Sequence, residues 1–187
     1  GPLISALEKL ARRYNVLERW KGARDVTRAL LDLAPSTSKR LEDAQNLHNA
    51  LVKLKDFSRV GDDVRRLSST VQRAVSAPQL EEAAREQLLS EYEQYIRDLS
   101  TKAQELIEKK YGKKKVPYNQ SVRQVALAYE TYLHTFKDSE SRLDILSNLA
   151  TVYGYAEQHM LSGRRFYERS IVSAKSADTK ISSGALA

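Results

Sequence analysis

The chain contains no cysteine. Disulfides, thiol nucleophiles and thiolate metal sites are therefore excluded, and the absence suits a reducing, cytoplasmic setting. Proline and glycine are scarce, with 4 and 7 among 187 residues. So few turn residues argue against a β fold and for long, uninterrupted elements. No apolar run approaches the roughly 20 residues needed to span a bilayer, and no signal peptide is visible. The three histidines, His48, His134 and His159, lack a second histidine at i+3 or i+4. No helical metal pair is thus formed, and the glycines Gly61, Gly112, Gly154 and Gly163 stand alone instead of building a phosphate loop. No metal and no cofactor is expected. Carboxylates such as Glu81, Glu82 and Glu86 read as helix-surface charge. A catalytic pair needs an enclosed, dry pocket to separate two pKa values, which a thin rod of helices seldom provides, so a non-enzymatic protein is expected.

What remains is a helix-forming chain. Hydrophobic residues make up 41% and charged residues 29%, the balance of narrow helices with one wet face. Gly1-Pro2 reads as the scar of tag cleavage. From there Leu3, Leu7, Leu10, Tyr14 and Leu17 step by 4, 3, 4 and 3, one helical stripe that Val26, Leu30 and Leu33 continue. Ala34-Pro35-Ser36-Thr37 breaks it. A second stripe runs through Leu41, Ala44, Leu47, Leu51, Leu54 and Phe57, then Val60, Val64, Leu67, Val71 and Ala74. Gly61-Asp62 offers a stop and a new cap, but the phase survives it, which predicts one long helix with a kink. Pro78 opens a third segment, whose face reads Leu80, Ala84, Leu88, Tyr92, Tyr95, Leu99, Ala103 and Leu106. Tyr111-Gly112 ends it. Pro117 and Asn119 begin a fourth, through Val122, Val125, Tyr129, Tyr132 and Phe136, where Asp138-Ser139 either caps a new helix or lies inside a continuing one. Leu143, Leu146, Leu149, Tyr153, Ala156, Met160, Gly163 and Tyr167 complete it.

The expected fold is all-α: an elongated antiparallel bundle of four or five long helices with coiled-coil-like packing. It covers residues 3–175, and residues 176–187 form a flexible tail. No 34-residue self-similarity points to a repeat solenoid.

Two features suggest binding. Lys109, Lys110, Lys113, Lys114 and Lys115 fall within seven residues, in a chain of net charge +7. They suit a helix C-terminus and a solvated loop, and equally an anionic membrane surface. Exposed aromatics are too few for a stacking platform, which disfavours nucleic acid. Near the C-terminus, Phe166 points to one side of the Met160–Gly163–Tyr167 seam, at about 100° per residue. A glycine inside a helix costs about 1 kcal/mol against alanine, so Gly163 needs a steric reason, either close helix packing or a pocket for a partner's side chain.

The stretch Tyr153-Gly154-Tyr155-Ala156-Glu157-Gln158-His159-Met160-Leu161-Ser162-Gly163-Arg164-Arg165-Phe166-Tyr167-Glu168 resembles the last long helix of the Alix-family V domain. The shared pattern is an aromatic, an aliphatic, then Gly-x-basic-Phe-Tyr. It departs from the family at Ser162, where glutamate is usual, and at Ser170, where leucine is. The resemblance implies a scaffold that binds short Tyr-Pro-x(n)-Leu peptides in endosomal sorting, with the peptide on Phe166 beside Gly163, Met160 and Tyr167. It also implies an endosome-associated location. Two other classes fit the residues: a helical subunit of a cytoskeletal, kinetochore or coat assembly, with helical or self-associating partners, and a basic module for anionic membrane or nucleic acid.

Overall fold

The computed structural model describes residues 1–33, 38–112, 114–155, 161–165, 168, 169, 171–173 and 175. All regular structure among them is helical: α1 (Pro2–Val16), α2 (Trp20–Leu33), α3 (Ser38–Leu54), α4 (Val60–Val75), α5 (Glu82–Tyr111), α6 (Gln120–Thr135) and α7 (Arg142–Tyr155). Residues 161–165 are also helical. Each helix packs on the next, and α4 sits at the centre, touching α2, α3, α5 and α6. The continuous core holds Leu47, Leu51, Val64, Leu67, Ile96, Leu99, Tyr129, Tyr132, Leu146 and Leu149.

The helices are more numerous and shorter than the stripes imply. The first expected segment divides at Leu17–Arg19 and the second at Lys55–Arg59. Both breaks have one cause. The Arg19 amide donates to the Tyr14 carbonyl at 2.8 Å, and the Glu18 amide to the Asn15 carbonyl at 3.1 Å. Asp56 and Lys55 repeat this with the Leu51 and Val52 carbonyls, both at 3.1 Å. This is the Schellman pattern, which needs a left-handed residue just past the helix. Here that residue is not glycine: Glu18 and Lys55 each have φ of 51°. Glycine is the usual residue there, so neither position announces a stop. Glu18→Gly should therefore raise stability by about 1 kcal/mol, the strain of a side chain in that region, less glycine's greater unfolded freedom. Urea denaturation would show it; a loss of stability would mean that Glu18 makes compensating contacts.

Other expectations shift in detail. Gly61 does not mark a stop, for it lies inside the first turn of α4, after the break. Pro78 lies in a turn, and α5 starts four residues later. Asp138-Ser139 falls in a true break between α6 and α7, where the Ser139 hydroxyl accepts from the Ser141 amide at 3.1 Å. Leu3, Leu10 and Leu17 are exposed, not core. Leu106 is exposed as well, because the seam passes from Ala103 to Ile107, one turn on, and leaves Leu106 at its edge. Residues 176–187, expected as a tail, lie outside the described residues.

An ionic ladder, fully buried only at Asp63, ties α2 to α4 and the turn before it. Arg24, Arg28 and Asp32 recur every four residues on α2 and meet Asp56, Asp63 and Arg66. Elsewhere, Asp43 on α3 is mostly buried beside Arg40, 3.0 Å away. That contact is too poorly aligned to be a hydrogen bond, since Arg40 Nη1 and Asp43 Oδ2 both lack a hydrogen-bond partner. Burial outweighs the arginine and raises the Asp43 carboxyl to about 6. The folded protein thus holds this proton more tightly than the unfolded chain, whose aspartate titrates near about 3.9. The stabilisation is full below the unfolded value and is lost as pH rises through about 6. Asp43→Asn should stabilise the protein at pH 7 and give a shrinking advantage as pH falls toward about 4. Chemical denaturation across that range tests it; a pH-independent difference would remove the explanation.

Candidate functional site

The lysine run closes α5. Lys109 and Lys110 lie exposed in its last turn, where positive charge suits the helix dipole. Gly112 then turns the chain with φ of 58°, a conformation that strains any other residue. Lys114 and Lys115 follow, both exposed, and Lys113 lies outside the described residues. The chain re-enters helix at Asn119, whose side chain accepts from the Val122 amide at 3.2 Å. The same asparagine donates to the Tyr111 hydroxyl at 2.9 Å, pinning the two ends of the lysine loop together. Lys110 Nζ lies 5.4 Å from the Tyr111 ring centroid.

Tertiary structure sets something beside this run that the stripes do not show. The α3–α4 turn, residues 55–58, folds against the end of α5 and the start of α6. Between them lies a cleft of about 210 Å³. Phe57, Leu106, Ile107, Tyr111 and Val125 supply its apolar wall, and Lys55 and Lys110 stand at its lining. Leu106 is 42% exposed, so apolar surface is open to solvent here. Asp56 is the cleft's one acid. Burial works against its ionisation, but hydrogen bonds from Ser58 and pairing with Arg24 outweigh this and hold its carboxyl below the ordinary range. Its charge is thereby engaged with Arg24, at 2.6 Å. An open apolar cleft with lysines at its edge has the shape and charge to suit an apolar side chain with acidic neighbours. At this volume it holds one side chain and no cofactor, whose sites run to roughly 300–1,000 Å³.

A larger polar furrow runs between α5 and α7. It comprises two hollows of about 620 and 660 Å³ that share Arg97 and Ser141. His48 stacks on Tyr95, with ring centroids 4.6 Å apart, and its Nε2 lies 3.0 Å from Asp98 Oδ2. Burial lowers the histidine's pKa against the pull of Asp98. Burial and the Glu91 carboxylate push the Tyr95 hydroxyl up to about 12. Farther along, Tyr132 donates to Glu93 at 2.5 Å, and Glu93 pairs with Arg97 at 2.9 Å. These groups lock α3, α5 and α6 to one another. The furrow is thus braced by interhelical polar contacts, whereas the smaller cleft is walled mainly by apolar side chains.

The C-terminal candidates are only partly visible. Met160, Phe166 and Tyr167 lie outside the described residues. Gly163 is exposed, and a Cβ added there would meet nothing within 4 Å. Among the described residues nothing packs closely on this glycine, and the buried residue of its turn is Ser162, which donates to the Ala150 carbonyl at 2.8 Å. Arg165 pairs with Glu130 of α6. Among the described residues, no group of three His, Asp or Glu side chains can hold a metal ion, and no helix is long and apolar enough to cross a membrane.

Sequence reasoning found the lysines but missed Lys55, Phe57 and Leu106. Phe57 and Leu106 read as core because their spacing fits the stripes. Only the break at Lys55 and the drift of the α5 seam turn them toward a shared opening. Compared with protein-family models, curated proteins and solved structures, the chain matches none.

Proposed function

We propose that this chain is a non-catalytic protein-interaction scaffold that captures a short peptide through one apolar anchor flanked by acidic residues. The observation behind this reading is the open apolar cleft of Phe57, Leu106, Ile107 and Val125, with Lys55 and Lys110 at its lining and the lysine run beside it. An anchor side chain buried there supplies affinity, as single aromatic or aliphatic residues do at interface hot spots. The lysines supply orientation and encounter rate more than binding energy. The frame is an elongated antiparallel bundle with coiled-coil-like seams, rigid enough to hold the cleft open. The Tyr-Pro-x(n)-Leu class implied by the Alix resemblance is the specific form of this reading, with either the cleft or Phe166 as its receptor.

One calorimetric experiment separates the cases. The probe is a Tyr-Pro-x(n)-Leu peptide with glutamates on both flanks. Leu106→Asp should weaken binding at least tenfold if the cleft receives the anchor, with the far-UV spectrum and melting temperature unchanged. Phe166→Asp should do so instead if the C-terminal helix receives it. Absence of binding to the wild type at millimolar peptide would end the peptide reading. Vesicles of anionic lipid form the control arm: binding to them that Lys114→Ser with Lys115→Ser abolishes would favour the basic-module alternative.

A further inference from the structure

We propose that the outer face of α1 is a docking seam for an acidic amphipathic helix of a partner protein. Leu3, Leu10 and Leu17 recur every seven residues, and at about 100° per residue they stay within about 40° of one another. All three are exposed, at 62%, 36% and 50%, and neighbouring Val16 is 77% exposed. Ala11 is the buried residue of α1, and its side of the helix faces the fold. The leucine row is therefore apolar surface at heptad spacing that no described part of this chain covers. One leucine per heptad is half of a helix-pair seam, completed by the partner's own apolar row, whereas a helix lying in a lipid surface needs a wider apolar stripe.

The charge beside the seam specifies the partner. Lys9 and Arg13, about 100° and about 60° round the helix from Leu10, flank one side of the row. Both are exposed, and among the described residues neither forms an ion pair, whereas Arg12 lies on the far side near Glu8, Glu42 and Asp43. With Val16 and Leu17, Lys9 and Arg13 line a depression of about 390 Å³. The one acid of α1, Glu8, is engaged with Arg40 and Lys39 of α3. The seam thus presents leucines and uncompensated cations together. A second copy of this chain would bring the same cations against them, and like charges across a helix pair oppose association. A helix with leucines on its seam and glutamates along its flanks satisfies both the apolar and the ionic demand.

The test uses the full chain and a synthetic helix of about three heptads, with leucine on its seam and glutamate at the flanking positions. Trp20, the single tryptophan of the chain, opens α2 three residues beyond Leu17 and reports binding by its emission, with calorimetry as a second readout. The glutamate peptide should bind at least tenfold more tightly than one with the same leucines and lysine flanks, and salt should narrow the gap. Leu10→Ser should weaken binding at least tenfold. Because Leu10 is only 36% exposed, Leu3→Ser, at 62%, is the companion variant, and it should weaken binding while circular dichroism and melting stay unchanged. Leu106→Asp should have no effect, so this inference stands or falls apart from the cleft. Equal binding of both peptides, indifference to Leu10→Ser, or no binding at all would overturn it. So would self-association by sedimentation that Leu10→Ser abolishes, which would assign the seam to a second copy. Loss of binding to anionic vesicles in Leu10→Ser, without any peptide binding, would assign it to a membrane.

Discussion

Replacing Asp63 by alanine should cost about 3–5 kcal/mol, the range for breaking a buried ion pair from one side. At this chain length that lowers the melting temperature by about 6–20 °C. Asp63 is fully buried on α4. It accepts from Arg28 Nε at 2.8 Å and Nη2 at 2.6 Å, a two-pronged pairing, and from Arg66 Nη1 at 3.1 Å. Arg66 in turn donates to Asp32 at 2.8 and 2.9 Å. Removing the carboxylate leaves Arg28, only 11% exposed, without its main counter-charge and faces it with Arg66. Most of the loss is the cost of that orphaned cation, not the worth of the pair. Arg28→Met combined with Asp63→Leu should therefore recover much of the stability, since apolar isosteres of buried pairs are often neutral or better. Urea midpoints of the three proteins decide the matter. A loss below about 1 kcal/mol for Asp63→Ala would show that water reaches the ladder.

The second large effect is expected at Gly61, where alanine should destabilise despite its better helix propensity. Propensity alone favours the change by about 1 kcal/mol. Against it, the new Cβ would lie 2.6 Å from the Gln124 carbonyl oxygen and 2.8 Å from Leu127 Cβ. One of those contacts is backbone and cannot rotate away, so α4 and α6 must part. Their separation would also stretch the bond from the Asp62 amide to Gln124 Oε1, at 3.1 Å, and the Ser68–Thr135 hydroxyl pair, at 2.6 Å. The net cost should be about 1–3 kcal/mol, the usual penalty of overpacking, and larger for valine. Thermal and urea melts of Gly61→Ala and Gly61→Val test the ordering. An alanine variant as stable as the parent would mean that α6 moves aside freely.

Gly61 also shows where legibility in the chain stops. A glycine preserving the phase of a stripe reads as a weak kink, because the pattern carries no information about a helix arriving from 60 residues away. The same limit hid the apolar cleft. Phe57 and Leu106 satisfy the helical spacing, and spacing cannot report that two edges of two stripes open onto one hollow. The lysine run was legible because it is contiguous. Gly163 was legible as unusual, and no described residue comes within 4 Å of a Cβ placed there.

The helical class followed from composition and period alone: few turn residues and apolar positions every three or four steps leave no other way to bury a face. Two boundaries carried local chemistry and were readable too, the Gly112 end of α5 and the Asn119 cap of α6. So were most of the core tyrosines, for Tyr92, Tyr129, Tyr132 and Tyr153 are all buried. Tertiary structure decided the rest. The breaks at Glu18 and Lys55 use residues with no intrinsic stop signal, held left-handed by backbone hydrogen bonds. The ladder between α2 and α4 depends on registering two helices whose charges each look like ordinary surface. Whether a leucine on a stripe meets a neighbour or water depends on whether another helix arrives on that side. On α1 Ala11 is buried while Leu3, Leu10 and the capping Leu17 just beyond it are exposed, because periodicity defines a face and only packing covers it.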